Sequence, residues 1–208
     1  MLDYQKMMDK IIEENALRSK KPRLLLHCCC APCASYCLEY LKDKFEITCY
    51  FYNPNITDKA EYEHRLSELK SLVSRAFYGA FEVIDGGFAP DCFYKMSAGR
   101  ENIPEGGARC FDCYRLRLNA AFCEAKRGGY DYFATTLTVS PHKNAERLNS
   151  IGFEIAEGAS VKYLPSDFKK KGGYSRSIAL SREYGLYRQN FCGCEFSKKI
   201  AEQKAERI

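Results

Sequence analysis

Short apolar runs alternate with amphipathic segments along most of the chain. Apolar runs that stop at turn-forming residues predict strands, whereas apolar residues repeated at helical spacing predict helices. Strands are predicted at residues 22–27, 45–52, 81–85, 130–135 and 161–164. Helices are predicted at residues 3–18, 34–42, 58–77, 108–126 and 144–156. Residues 91–107 show no clear period, so we expect a loop there with at most a short helix.

This alternation predicts an α/β fold with a mainly parallel, twisted sheet covered by helices on both faces. In such folds the reactive groups lie outside the carboxyl ends of the strands. The length of 208 residues, 46% of them apolar, suits one domain spanning residues 1–208. The last part of the chain is predicted to form a mostly helical, basic C-terminal segment.

Charge and hydropathy narrow the class of protein only slightly. The net charge of +5 and the pI near 8.5 permit a nucleic-acid partner without requiring one. The N-terminus is charged from its third residue, and the least polar stretch, residues 24–37, is shorter than the roughly 18 apolar residues of a membrane helix. We therefore expect no signal peptide, no membrane span and a cytoplasmic protein.

Cysteine is the informative residue type, because the chain contains 12 of them. A reducing cytosol disfavours structural disulfides, so metal, iron–sulfur or redox chemistry becomes the leading explanation. Most of the cysteines fall into three groups along the chain. The groups are Cys28, Cys29, Cys30, Cys33 and Cys37; Cys110 and Cys113; and Cys192 and Cys194.

The first group follows a predicted strand and precedes a predicted helix. That arrangement places the thiols near a helix N-terminus, which favours thiolates that act as nucleophiles or metal ligands. Cys30 and Cys33 have thioredoxin-type spacing, so a thiol–disulfide oxidoreductase is one alternative. Cys28 and Cys37 suit a second interpretation as small, buried apolar residues. His27, at the end of the strand, is interpreted as a hydrogen-bonded structural residue.

Cys110 and Cys113 lie at the start of a predicted helix, one turn apart on one face. Together with the first group they supply four thiolates from distant parts of the chain. Four thiolates at a crevice fit an iron–sulfur cluster better than a structural zinc ion, whose ligand pairs usually lie closer in sequence. A zinc-stabilised RNA-binding protein without catalysis remains the other alternative.

Cys192-Gly193-Cys194 has a spacing that can close a tight, strained disulfide, which is the kind that carries electron pairs. A second metal-binding pair is the competing interpretation. Residues 187–191 mix aromatic, basic and amide side chains that can stack on and hold single-stranded nucleic acid.

Several ordered segments together resemble the QueH-type epoxyqueuosine reductases of tRNA queuosine modification. They are Leu-Leu-His-Cys-Cys-Cys-Ala-Pro-Cys at 25–33, Asn-Pro-Asn-Ile at 53–56, Arg-Cys-Phe-Asp-Cys-Tyr-Arg-Leu-Arg-Leu at 109–118, Thr-Thr-Leu-Thr-Val-Ser-Pro-His-Lys at 135–143, Asp-Phe-Lys-Lys at 167–170, Arg-Ser at 176–177 and Gly-Leu-Tyr-Arg-Gln-Asn-Phe-Cys-Gly-Cys at 185–194. The resemblance implies a cobalamin-independent oxidoreductase that reduces the epoxide of epoxyqueuosine in the tRNA wobble position to queuosine. It also implies a Rossmann-like three-layer α/β domain.

By motif position, the resemblance implies a 4Fe-4S cluster whose ligands are Cys29, Cys30, Cys110 and Cys113, and a redox-active disulfide between Cys192 and Cys194. The implied partners are tRNA carrying epoxyqueuosine and an electron donor that the sequence does not identify. Three consecutive cysteines with a fourth at Cys33 leave the ligand register open. Because Asp112 can add an oxygen ligand, a second mononuclear iron at Cys33 and Asp112 also stays open.

Overall fold

The computed structural model describes residues 2–205 of the chain, which form eight α-helices and five β-strands in that range. The helices are α1 (Tyr4–Ala16), α2 (Ala31–Leu41), α3 (Lys59–Phe77), α4 (Pro90–Ser97), α5 (Ala108–Arg127), α6 (Ala145–Ala156), α7 (Gly173–Glu183) and α8 (Glu195–Ala205). The strands are β1 (Arg23–His27), β2 (Glu46–Phe51), β3 (Glu82–Asp85), β4 (Tyr132–Thr135) and β5 (Lys162–Tyr163).

The five strands form one sheet in the order β3-β2-β1-β4-β5, and every neighbouring pair is parallel. The α/β prediction is confirmed. The order runs outward in one direction from β1 to β3 and in the other from β4 to β5. The connection after β1 therefore leaves one face of the sheet and the connection after β4 leaves the other. A crevice opens between these two strands at their carboxyl ends, where open α/β sheets bind ligands.

Helices cover both faces of the sheet because side chains of β1 point alternately to either side. Leu24 and Leu26 belong to the core cluster on one face, and Leu25 belongs to the cluster on the other. The first cluster includes residues of α2, α3 and α7, and the second includes residues of α5 and α6. All three leucines are completely buried, which stabilises the fold by about 1.5–3 kcal/mol for each side chain.

One element boundary differs from the sequence prediction in a place that matters for function. Helix α2 begins at Ala31 rather than at Ala34, because Pro32 is accommodated in the first helical turn. The prediction of a loop with at most a short helix at residues 91–107 is confirmed, because the short helix α4 ends at Ser97 and the rest of that segment connects to α5. The predicted domain spans residues 1–208, of which residues 1 and 206–208 lie outside the described range. Among residues 2–205, no helix has both the length and the apolar composition needed to cross a bilayer.

Candidate active site

The loops after β1 and β4 meet at the crevice between these strands. His27 ends β1 and pairs in register with Thr135, the last residue of β4. The His27 ring is fully buried, with Nδ1 2.9 Å from Thr135 Oγ1 and Nε2 3.1 Å from the Tyr52 carbonyl oxygen. Because a carbonyl only accepts, Nε2 carries the proton and Nδ1 accepts from the threonine. The interpretation of His27 as a hydrogen-bonded structural residue is confirmed.

Three thiols form a compact cluster at the start of α2. The Sγ atoms of Cys29, Cys30 and Cys33 all lie within 4.8 Å of one another. Cys30 is the N-cap residue of α2, so the thiols sit beside the amide N–H groups and the positive dipole end of the helix. The Cys29 backbone N–H donates to Thr136 Oγ1 at 3.2 Å, which anchors the loop to the segment after β4.

Hydrogen bonds within this thiol cluster set its proton distribution. The thiols of Cys29 and Cys33 donate to Cys30 and hold the pKa of Cys30 well below its usual range. The same bond to Cys30 raises the pKa of Cys29 to about 11. These hydrogen bonds therefore favour the thiolate form of Cys30, and sulfur atoms at this spacing can bind a metal ion or an iron–sulfur cluster.

Cys28 and Cys37 do not belong to this cluster, because both are fully buried in the apolar core. The Cys28 thiol donates to the Leu26 carbonyl oxygen at 3.3 Å. Burial raises the pKa of both thiols well above the usual value. The interpretation of these two cysteines as small apolar core residues is confirmed.

Cys110 and Cys113 lie in the first turns of α5, on the other side of the crevice. The Gly106 backbone N–H donates to Cys110 Sγ at 3.3 Å, and burial raises the pKa of Cys113 to about 11. Both residues line a small pocket together with Cys192 and Cys194. Asp112, between them in sequence, is bound in an ion pair with Arg100.

The Cys192–Cys194 loop is docked onto the segment after β2 and onto α3. Asn55 Nδ2 donates to the Cys192 carbonyl oxygen at 3.0 Å, and Arg65 Nη1 donates to the same oxygen at 3.4 Å. Arg65 is only 2% exposed, and its guanidinium also lies 5.0 Å from the Phe191 ring centroid. All twelve cysteines, this pair included, are free thiols in the structure.

Gly193 adopts a backbone conformation that side-chain-bearing residues rarely adopt, with φ of 112°. A Cβ at this position would lie 2.8 Å from Ile56 Cγ1 and 3.3 Å from Asn55 Nδ2. The close approach explains why a glycine separates the two cysteines. It also gives the Asn-Pro-Asn-Ile segment a structural role as the platform for the loop.

A cavity of about 480 Å³ occupies the crevice. Thiols from two of the groups, Cys29, Cys33 and Cys192, line it together with the cationic side chains of Arg65, Arg117, Lys143 and Lys204. Arg117, on α5, is 1% exposed, and its Nη2 atom has no hydrogen-bond partner among the described residues. Burial lowers the pKa of Arg117, but the sulfurs of Cys113, Cys192 and Cys29 outweigh that effect and raise it above the usual value.

The structure therefore gathers residues of all three cysteine groups around one crevice. Cys29 and Cys30 lie with Cys33, and Cys110 and Cys113 lie with Cys192 and Cys194. Sequence analysis missed the cationic residues of the site. Lys143 closes the segment 135–143 and Arg117 lies in the segment 109–118, so both belong to segments that carry the family resemblance, but neither segment indicates that these side chains line a cavity.

Comparison with known proteins gives the same family that the sequence motifs resemble. Residues 24–200 match the family model described as epoxyqueuosine reductase QueH. The chain is 40% identical over 202 residues to the epoxyqueuosine reductase QueH of Streptococcus pyogenes serotype M1, covering 96% of this chain and 79% of that protein. It is 40% identical to the protein of the same name from Staphylococcus epidermidis, covering 94% of this chain and 84% of the relative.

A more distant relative has the same description. The epoxyqueuosine reductase QueH of Thermotoga maritima is 34% identical over 188 residues, which cover 89% of this chain and 95% of that protein. Matches of this extent over most of both chains show the family to which the chain belongs. The chain belongs to the epoxyqueuosine reductase QueH family.

Proposed function

We propose that this protein reduces the epoxide of epoxyqueuosine, at the wobble position of tRNA, to the alkene of queuosine. The net reaction consumes two electrons and two protons and releases the epoxide oxygen as water. The observation that carries the proposal is the cavity at the sheet crevice, in which thiols and cations converge from distant segments of a QueH-family chain. The substrate class is inferred from the family to which the chain belongs. The cysteines are the residues that can supply the redox groups.

Four thiols are proposed to hold a 4Fe-4S cluster: Cys29 and Cys30 after β1, and Cys110 and Cys113 on α5. The donor set fits, because thiolates are the ligands of such clusters, and the sulfurs of Cys29 and Cys113 both act on the buried Arg117 guanidinium, whose Nη2 is unpartnered among the described residues. When bound, an iron–sulfur cluster supplies electrons one at a time. Arg117 offsets the negative charge that four thiolates bring into the buried site.

A second mononuclear iron fits the surrounding groups less well. Cys33 belongs to the thiol cluster and is available as a ligand. Asp112, however, is held in its ion pair with Arg100 and is not available to a metal while that pair persists. Cys33 instead supports Cys30 by donating a hydrogen bond to its sulfur.

Cys192 and Cys194 are proposed to store the electron pair as a dithiol that becomes a disulfide. Support comes from their place at the cavity, with Cys192 in its lining and Cys194 in the adjoining small pocket. A dithiol releases two electrons and two protons, which matches the stoichiometry of the epoxide reduction. An external reductant is then needed to restore the dithiol after each turnover.

The tRNA is proposed to bind over the cavity mouth, with the modified base extruded into the crevice. Lys204 contributes positive charge there, and Phe191 provides an aromatic ring in the cavity lining. Such a site binds the phosphate backbone electrostatically, so we expect the affinity for tRNA to fall steeply as salt is raised. An affinity that does not change with salt would contradict this surface.

The decisive experiment assays epoxyqueuosine and queuosine by nucleoside analysis after incubation of modified tRNA with the reduced, iron-reconstituted protein. Conversion is expected for the native protein, and iron and acid-labile sulfide should be present in matching amounts. Protein that carries only zinc and converts no epoxyqueuosine would favour an RNA-binding role. Protein that reduces protein disulfides without tRNA, and not the epoxide, would favour the Cys30/Cys33 oxidoreductase.

Cysteine variants then separate the two proposed redox groups. Cys29→Ser and Cys113→Ser should lose iron and all conversion. Cys192→Ser and Cys194→Ser should retain iron and sulfide but lose multiple turnover with a dithiol reductant. Cys123→Ser is the matched control, because Cys123 is exposed on α5 and lines neither the cavity nor the small pocket. Full multiple turnover by Cys192→Ser would refute the dithiol role.

A further inference from the structure

A second cavity, with a volume of about 240 Å³, lies beside the cavity at the crevice. Its lining comes from the starts of α2 and α7, the segment after β4 and residues 188–190. Several residues line both cavities, which are therefore adjacent: Cys33, Ser140, His142, Gln189 and Asn190. A ligand that extends from the first cavity along this shared wall reaches the second.

The second cavity is lined by an aromatic ring, a guanidinium group and small polar side chains. Tyr174 is half-buried at the start of α7, and Arg188 is exposed. No carboxylate belongs to the part of the lining that residues 2–205 provide. Proteins bind unpaired bases by stacking them on aromatic rings, and they bind phosphates through arginine. The lining therefore fits a nucleotide of a single strand.

Close packing fixes the position of Tyr174. Gly173, the first residue of α7, is buried, and a Cβ there would overlap the Phe168 carbonyl oxygen and the Tyr36 ring. Helix α7 therefore begins in direct contact with these two residues. The Tyr174 carbonyl oxygen accepts from Ser177 Oγ at 2.7 Å. A ring carried by such a fixed helix start loses little conformational freedom when a base stacks on it.

Arg188 is held in place but its charge is not paired. Its Nη1 donates to Ser181 Oγ on α7 at 3.2 Å. Among residues 2–205, no carboxylate oxygen lies within 4.0 Å of its guanidinium nitrogens. A guanidinium group has five N–H donors in a planar fork that matches the oxygens of a phosphate. The donors that Ser181 leaves free can therefore bind a phosphate group.

We propose that the second cavity binds an unpaired nucleotide next to the modified one, with its base against Tyr174 and with Arg188 at the phosphate that joins the two nucleotides. Enzymes that extrude a base for chemistry select their sequence context through contacts to the flanking nucleotides. The entry of the modified base into the first cavity rests on the proposed function. Binding of RNA at the second cavity can be measured without an epoxide.

The test measures the affinity for a synthetic anticodon stem-loop RNA with guanosine at the wobble position, by fluorescence anisotropy. Two further RNAs keep the sugar and phosphate but lack the base, one on the 5′ side of the wobble position and one on the 3′ side. We expect one of these abasic RNAs to bind the native protein about tenfold more weakly, because one stacked base is lost. Tyr174→Ala should bind the complete RNA about tenfold more weakly and no longer distinguish it from that abasic RNA.

Matched variants separate the ring and the charge. Tyr174→Phe keeps the ring and should bind like the native protein, whereas Tyr78→Ala is the control for the loss of a ring, since Tyr78 is 95% exposed and lines neither cavity. Arg188→Met should weaken binding and reduce the slope of log affinity against log salt by about 0.7, because one phosphate contact is lost. Arg127→Met removes the same charge at the far end of α5 and should leave the slope unchanged.

The proposal is wrong if the native protein binds all three RNAs equally, or if both abasic RNAs lose affinity equally, since Tyr174 would then not serve one base. It is also wrong if Tyr174→Ala, shown by thermal unfolding to be folded, still distinguishes the RNAs, or if Arg188→Met keeps the native salt slope. The RNA comparison on native protein and the Arg188→Met slope need no folded Tyr174→Ala.

Conversion of epoxyqueuosine is assayed separately, so the two proposals fail separately. Expected RNA binding without conversion would reject the proposed function and leave the second cavity standing as an RNA site. Conversion by a protein whose RNA affinity does not depend on Tyr174 or Arg188 would reject the second cavity and leave the proposed function standing.

Discussion

Replacing Gly193 by alanine is predicted to loosen the Cys192–Cys194 loop. With φ of 112°, the native backbone at this position is strained for any residue that carries a Cβ. The new methyl group would lie 2.8 Å from Ile56 Cγ1 and 3.3 Å from both Arg65 Nη1 and Asn55 Nδ2. Arg65 and Asn55 are the two side chains that hold the Cys192 carbonyl oxygen, so the substitution acts on the anchor itself.

The size of the effect follows from the backbone. A residue forced into a sparsely populated conformation costs on the order of 1–3 kcal/mol. Subtracting about 2 kcal/mol from the free energy that keeps the loop docked raises the undocked population roughly 30-fold, at about 1.4 kcal/mol for each factor of ten. Cys194 is 9% exposed when the loop is docked, so its alkylation rate reports that undocked population.

The assay is iodoacetamide labelling of Cys194 in the reduced protein, read by peptide fragmentation, with Gly185→Ala as the matched control. Gly185 also has a positive φ, 59°, but a Cβ there meets nothing within 4 Å. Its substitution therefore adds backbone strain of about 1–2 kcal/mol away from the loop and should leave Cys194 labelling within about threefold of native. If Gly193→Ala also stays within threefold, the loop is not held in the conformation described.

Three further substitutions test other parts of the structure. The Asn149 side-chain amide is fully buried, donates to the Ser166 carbonyl oxygen and accepts from the Ser166 N–H. Asn149→Ala should therefore lower the free energy of unfolding by about 3 kcal/mol and the Tm, measured by calorimetry, by roughly 6–12 °C. Arg117→Met removes a cation beside the thiols and should shift the reduction potential of the reconstituted protein negative by roughly 60 mV in a redox titration; an unchanged potential would place the metal away from Arg117. Burial raises the pKa of Asp9, but Lys171, Tyr40 and Gln5 outweigh it and lower the pKa below its unfolded value, so its stabilisation is present at neutral pH and lost in acid. Asp9→Asn should therefore lower the free energy of unfolding, measured by urea denaturation, by about 1 kcal/mol at pH 7 and leave it unchanged near pH 2.

The order of strands and helices could be predicted from sequence, because the spacing of apolar residues and the positions of turn-forming residues are both visible within a short stretch of chain. The start of α2 could not, since Pro32 stops a helix in the interior but is well placed in a first turn. That difference matters, because it brings Cys33 next to Cys29 and Cys30. Predicting a helix from residue 34 leaves Cys33 in a loop with no defined position.

The grouping of the thiols depends on contacts between distant segments, which no local pattern encodes. The spacing of Cys110 and Cys113 shows that they share a helix face, but not which loop faces them. Asn55 and Arg65 determine that loop by binding the Cys192 carbonyl oxygen. Charged residues surround Arg65 in a helix with apolar residues on one face, so the sequence does not indicate that this arginine is only 2% exposed.

The docking of the Cys192–Cys194 loop has a consequence for the order in which the site is built during synthesis. The last strand of the sheet ends at Tyr163, so the sheet can form before the loop leaves the ribosome. Until then, the thiols of Cys29 and Cys33 face an open crevice that lacks its wall of residues 189–192. The nascent chain therefore passes through a stage in which iron, oxygen and other thiols reach these sulfurs more freely than they do in the finished protein.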